Sequence, residues 1–308
     1  MKKLVILLSI ITIALISLVG ANFYAKNRSQ TAPVTTKIVA NASFYPMYFF
    51  TSEIGGYKTE VNNLTPAGIE PHDYEPNAKT LTDIEKNKLL VLNGGVEPWA
   101  DRVKANLTGT SVVTVTAGEG LLSKAFTDED GTQTQDPHIW LDPVLAKEQA
   151  KKIAEGFITI DPKNQTYYEN NFGVLSEKLD QLDAKYNAGL KSCQKKEFVT
   201  SHEAFSYLAS RYGLTQVAIS GLSPDVEPSL QQIADVAEYA QENNINYIFF
   251  ESLVSPELSQ TVADEIGAQT LVLDPLEGLS QDDSKQGKNY FTVMEENLKN
   301  LRIALQCN

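Results

Sequence analysis

The chain has 308 residues, 42% of them hydrophobic and 21% charged, with 39 acidic against 26 basic side chains. That length and composition exclude wholesale disorder and collagen-like repetition, and suggest about two globular domains. A net charge of −13 argues against a nucleic-acid partner, because polyphosphate would be repelled, and it would gather cations.

Residues 1–21 (MKKLVILLSIITIALISLVGA) set two lysines before an uncharged apolar run that ends in small residues. This is the pattern of an export signal, with Val19-Gly20-Ala21 as the cleavage site and Asn22 as the mature N-terminus. An uncleaved anchor is the alternative, although the run is short for a spanning helix of about 20 residues. Ala21 stands where a lipoprotein would carry its Cys. Either way, the folded part is expected outside the cytoplasm, in a periplasm or on the outer face of the cell membrane. Residues 22–36 are polar and aperiodic, and read as a flexible tether.

From Lys37, short apolar runs alternate with helical ones. KIVANAS, EVNNLTP, KLLVLNG and TSVVTVTA read as strands, with helix-period stretches at 46–54 and 77–86. The acidic insert 127–136 (TDEDGTQTQD) reads as a solvated loop. Asp142-Pro143 signals a helix start. Residues 164–191 then carry Tyr168, Phe172, Leu175, Leu179, Leu182 and Tyr186 at helical spacing, a helix of about 42 Å. The alternation restarts in EFVTS, QVAIS, INYIFFE and AQTLVLD, with helices expected at 203–212, 229–243, 255–266 and 290–305. Ser223–Pro228 reads as a rigid turn near the cleft. The reading is α/β: a first lobe at 37–162, a connecting helix at 163–192 and a second lobe at 193–308, each lobe around a parallel sheet.

Three histidines serve the whole chain, so a site built on imidazole must use them. His72 lies in the loop after EVNNLTP, His138 in DPHIWLDP, and His202 directly after EFVTS. The last strand leads into Asp274-Pro275-Leu276-Glu277. Open α/β sheets bind ligands beyond the carboxyl ends of their strands. Three imidazoles and one carboxylate would close a tetrahedral shell, which suits Zn²⁺. His202-Glu203 begins like a zinc-protease helix but lacks the second His.

The segments PHDYEPN, DPHIWLDP, TSHEAFSYLASRYGL, ISGLSPDVEPS, FFESLVSPELSQTVADEIGA and DPLEGL resemble, in order and spacing, the metal-binding proteins of ABC importers that deliver zinc or manganese to a membrane permease. The resemblance implies two α/β lobes joined by one rigid helix, with metal in the cleft between them and no catalysis. It implies metal ligands at His72, His138, His202 and Glu277, with Asp274 the less favoured alternative to Glu277. It also implies a disulfide between Cys193 and Cys307, and a monomer that serves a permease. Manganese carriers of the family resemble this one with a Glu where His202 stands, so the third nitrogen points to zinc. A manganese carrier and an extracellular zinc hydrolase are the competing readings. Glu75, Glu203 and Glu251 are candidates to orient imidazoles, and Trp140 is expected to pack beside the site. The His-rich loop common in zinc importers is replaced here by Asp and Gln.

Overall fold

Short β-branched and apolar runs build two four-stranded parallel sheets. In the computed structural model, residues 37–127, 131 and 133–308 are described; the expected signal and tether at 1–36 lie outside the described residues, as do 128–130 and 132 of the acidic insert. The first sheet joins β1 (Ile38–Ala42), β2 (Thr59–Asn63), β3 (Leu89–Leu92) and β4 (Val113–Thr116) in the order β2-β1-β3-β4. A small antiparallel pair follows, β5 (Ala125–Thr127) with β6 (Gln133–Gln135). The second sheet joins β7 (Glu197–Thr200), β8 (Thr215–Ala218), β9 (Tyr247–Phe250) and β10 (Gln269–Val272) in the order β10-β9-β7-β8. Every pairing within the two larger sheets is parallel. Each sheet therefore reverses its winding once, between β1 and β3 and between β7 and β9. Those are the points where crevices open at strand carboxyl ends.

Helices α1 (Tyr45–Gly55), α2 (Ala78–Lys86), α3 (Ala100–Leu107) and α4 (Pro143–Ile160) accompany the first sheet. Asp142 caps α4 by accepting from the backbone N–H of Val144 and Leu145, with Pro143 in the first turn where its missing N–H costs nothing. Gly156 lets α4 sit tightly on the sheet, since a Cβ there would meet Val115 at 2.5 Å. The single helix α5 (Gln165–Leu190) buries Tyr168, Leu175, Leu179, Leu182, Tyr186 and Leu190 along one stripe, the 3.6-residue period of an amphipathic helix. Helices α6 (Ser206–Tyr212), α7 (Leu230–Glu242), α8 (Glu257–Ile266), α9 (Gln281–Lys285) and α10 (Tyr290–Ala304) complete the second lobe. The Cys193–Cys307 disulfide ties the end of the chain to the exit of α5.

Three local expectations are corrected. Helix α6 starts at Ser206 rather than at 203. The N–H groups of Glu203, Ala204 and Phe205 bond Gly221 O, His202 O and the Gln216 side chain, which holds a non-helical turn around His202. The insert 127–136 is not loop throughout: Gln133–Gln135 pair with Ala125–Thr127, and Asp136 is buried. Helices α3 and α9 were not foreseen; they are short, at 8 and 5 residues.

One continuous apolar core runs across the lobe boundary. It includes Phe44, Met47 and Phe50 of the first lobe, Trp140, the buried stripe of α5, and Leu276, Tyr290 and Met294 of the second. Burial of such side chains contributes about 25 cal/mol per Å² of apolar surface. The lobes are therefore packed together rather than strung on a hinge.

Candidate metal centre

Each predicted site residue stands at the carboxyl end of a strand. The loop that carries His72 leaves β2 and continues the ladder through Leu64 N–H to Ala42 O and Thr65 N–H to Ser43 O. It also reaches the second lobe, where Gly68 N–H donates to Leu279 O at 3.0 Å. His138 is positioned from the end of β3. Asn93 donates through Nδ2 to Pro137 O at 3.0 Å, and Gln149 of α4 holds the Asn93 side chain at 2.6 Å. His202 follows β7 after one residue. Glu277 follows β10 through a turn in which Asn297 holds both the N–H and the carbonyl of Asp274. Leu276 there has φ +58°, an uncommon backbone conformation for a bulky side chain, of the kind found where surrounding structure over-determines it.

These turns converge. The Nε2 atoms of His72, His138 and His202 lie 3.2, 3.1 and 3.4 Å from the same oxygen, Oε1 of Glu277. One donor atom from each of the four residues lies within 4.8 Å of all the others. His138, His202 and Glu277 are fully buried or nearly so, and His72 is 10% exposed at the mouth. The His202 contact is an approach without hydrogen-bond alignment. Its Nε2 therefore has no hydrogen-bond partner, and neither does Oε2 of Glu277. Buried polar atoms without partners are costly in a folded protein. A cation bound among these donors would satisfy them.

Asp274 does not join the group. Its Oδ1 accepts from Leu276 N–H at 2.7 Å, so it braces the turn that delivers Glu277. Burial pushes its carboxyl up to about 6.

Two imidazoles are oriented from behind. His138 Nδ1 lies 2.8 Å from Asp136 Oδ1, and His202 Nδ1 lies 2.6 Å from Glu251 Oε1. In each case the second nitrogen is turned toward the cluster, the arrangement by which carboxylates fix the tautomer of a ligating histidine. Of the three glutamates considered, only Glu251 does this. Glu75 pairs with Arg102 at 2.6 Å on the surface, and Glu203 makes no bond to an imidazole among the described residues. Asp136 was missed because its acidic run reads as solvated. The signal that could have found it is its spacing, two residues before His138. Trp140 packs 5.1 Å from the His138 ring, as expected.

The electrostatics follow. Burial draws the His138 and His202 pKa values down, but the carboxylates of Asp136, Glu251 and Glu277 outweigh it, and both end raised. Burial opposes charge on Glu277 as well, yet the surrounding imidazoles, His202 foremost, hold its carboxyl well below the usual range. Glu70 lies behind His72, whose N–H it accepts at 3.3 Å. Burial, and then the charge of Glu277, push it up to about 10.

Two parallel α/β lobes on a single long helix, with three imidazoles and a carboxylate converging between them, define a bilobal solute-binding protein with a cation-type site. Comparison with known proteins agrees. Residues 41–304 match the family described as zinc-uptake complex component A, periplasmic (ZnuA). The chain is 39% identical over 280 residues to the high-affinity zinc uptake system protein ZnuA of Bacillus subtilis, covering 87% of this chain and 88% of that one. It is 40% identical over 303 residues to the zinc-binding lipoprotein AdcA of Streptococcus pneumoniae, covering 95% of this chain but 60% of the longer relative. The crystal structure of the Zn(II)-bound ZnuA-like domain of that AdcA superposes with a TM-score of 0.77 at 40% identity, covering 88% of this chain and 99% of the domain. The chain belongs to the ZnuA family of solute-binding proteins.

Proposed function

We propose that the protein captures Zn²⁺ outside the cytoplasm and delivers it to the permease of an ABC importer, without catalysis. The observation that carries this reading is the convergence of three Nε2 atoms on one oxygen of Glu277, with His202 Nε2 and Glu277 Oε2 left unpartnered. Three nitrogens and one oxygen suit tetrahedral zinc, whereas manganese favours oxygen donors. A hydrolytic zinc keeps one position open for water, and here the fourth protein donor would fill it.

On this reading His72, His138, His202 and Glu277 are the ligands of the transported ion. Residues 37–162 and 193–308 are the two lobes, 163–192 the connecting helix, 1–21 the export signal, and the protein acts as a monomer. Among the described residues no helix is long and apolar enough to cross a membrane. The test is metal analysis of protein purified without chelator, followed by competition between zinc and manganese. Stoichiometric zinc retained against excess manganese is expected. Manganese in the purified protein, or no bound metal, would overturn the assignment.

A further inference from the structure

The first turn of α6, in the second lobe, grips the residue that orients His138 in the first. Asp136 is buried and uses both carboxylate oxygens. Oδ1 accepts from the backbone N–H of His138 at 2.9 Å and faces its Nδ1 at 2.8 Å. Oδ2 accepts the hydroxyl of Ser206, the first residue of α6. The neighbouring Tyr207 is buried, and its hydroxyl donates to the Asp136 carbonyl at 3.1 Å. That same hydroxyl accepts from the backbone N–H of Ser123 at 3.0 Å and Lys124 at 3.1 Å. A phenol with one donor and two acceptor positions is thereby fully used. Ser206 stands only four residues after His202, so this clasp connects two histidines of the cluster through the lobe boundary.

We propose that Ser206 and Tyr207 are positioning residues for metal binding, which fix the separation of His138 from His202 and the aim of the His138 imidazole. The proposal rests on the reading of the four-residue cluster as the zinc site. The physical reason is the stiffness of the chain of contacts. Without the Ser206 hydroxyl, the Asp136 carboxylate loses a donor and can rotate about its χ2, which loosens the bond that sets the tautomer and ring angle of His138. Without the Tyr207 hydroxyl, Ser123, Lys124 and Asp136 each lose a hydrogen bond to the second lobe, and His138 can drift from His202. A site held to within about 0.5 Å is what ligand geometry requires. Outer partners of ligating histidines contribute roughly 10- to 100-fold to metal affinity.

The experiment compares wild type, Ser206→Ala, Ser206→Thr, Tyr207→Phe and His202→Ala in the full chain. Zinc dissociation is timed by chelator capture, the visible spectrum of the Co²⁺-substituted protein reports ligand geometry, and denaturant midpoints report folding. Ser206→Ala and Tyr207→Phe are each expected to speed dissociation about tenfold and to change the Co²⁺ bands. Ser206→Thr restores a hydroxyl and should recover both. Unchanged dissociation and spectra in Ser206→Ala and Tyr207→Phe, with metal lost in His202→Ala, would overturn the clasp and leave the site standing. A lowered midpoint with unchanged dissociation would also overturn it, since that is a structural role alone. If His202→Ala binds as wild type does, the site reading is wrong and the clasp falls with it.

Discussion

Trp140 donates its indole N–H to the carbonyl of Pro275 at 2.7 Å, and this buried bond crosses from one lobe to the other. It joins the segment two residues after His138 to the segment two residues before Glu277. Tyr290 adds a second tie by donating its hydroxyl to the Trp140 carbonyl at 2.6 Å. Arg211 of α6 adds a third, with Nε donating to Asp142 Oδ2 at 2.8 Å. The wall of the site formed by His138, His202 and Glu277 is thus braced from several directions, whereas His72 arrives on a loop at the mouth.

Replacing Trp140 by Phe should remove the Pro275 bond while keeping an aromatic ring in the core. A buried carbonyl left without its partner costs about 1–3 kcal/mol. Urea denaturation should show a stability loss in that range, and zinc should bind more weakly because the His138 and Glu277 segments are uncoupled. Unchanged stability would mean that the indole bond contributes nothing.

His202→Glu should lower zinc affinity and narrow the preference for zinc over manganese. The exchange turns three nitrogens and one oxygen into two of each, a harder donor set with a possible fifth contact. Zinc should still bind more tightly than manganese, following the intrinsic order of the metals. Glu277→Ala leaves the three imidazoles, so it should weaken zinc without reversing the preference. Competitive titration of both ions on each variant measures this. An unchanged zinc-to-manganese ratio in His202→Glu would remove His202 from the site.

Glu251→Gln should weaken zinc binding by about tenfold, since the charge that polarises the His202 Nδ1–H is lost while the shape is kept. Isothermal titration against a competing chelator reads the effect. Equal affinity in the variant would show that Glu251 serves only to pair with the Ser201 hydroxyl, to which it is also bonded.

Stabilisation by zinc should grow as pH rises. His138 and His202 have raised pKa values, so they favour the metal-free fold below the ordinary imidazole value of about 6.5. That contribution fades as pH rises through the raised values. Glu277 is held low and stays a carboxylate over this range. A metal must displace the imidazole protons, so its binding strengthens over the same interval. Melting temperatures with zinc and with chelator should therefore diverge as pH rises from about 6.5 through the raised imidazole values. A gap that stays constant would argue against proton release on binding.

Removing the Cys193–Cys307 disulfide by a double Ser substitution should destabilise the protein. The bond spans a sequence separation of 114, for which the chain-entropy model gives roughly 5 kcal/mol before any native strain is subtracted. The denaturant midpoint measures the loss, and titration of the unfolded, unreduced protein should find no free thiol. Two reactive thiols per chain would show that the bond does not form.

Local pattern in the sequence determined the strands of both sheets, the long helix and the positions of the three histidines after strand ends. Each of these is written in short-range periodicity: apolar runs closed by turn residues, the 3.6-residue stripe from Tyr168 to Leu190, and Asp142-Pro143 as a cap. The sequence also narrowed the fourth position to two carboxylates three residues apart. The resemblance already favoured Glu277, and the tertiary structure adds a physical reason: past the left-handed backbone at Leu276, Glu277 lies among the imidazoles, while Asp274 braces that turn. Tertiary structure alone showed Asp136 to be buried behind His138, since the pairing of Gln133–Gln135 with Ala125–Thr127 draws that residue out of an otherwise polar run. The late start of α6 likewise rests on Gly221 and Gln216, which are distant in sequence from His202 and accept from the N–H groups of Glu203 and Phe205, holding the chain in a non-helical turn before Ser206. Periodicity reports what a residue does for its own element. Which residues meet across two lobes depends on contacts between segments tens to more than a hundred positions apart, and no local pattern carries that information.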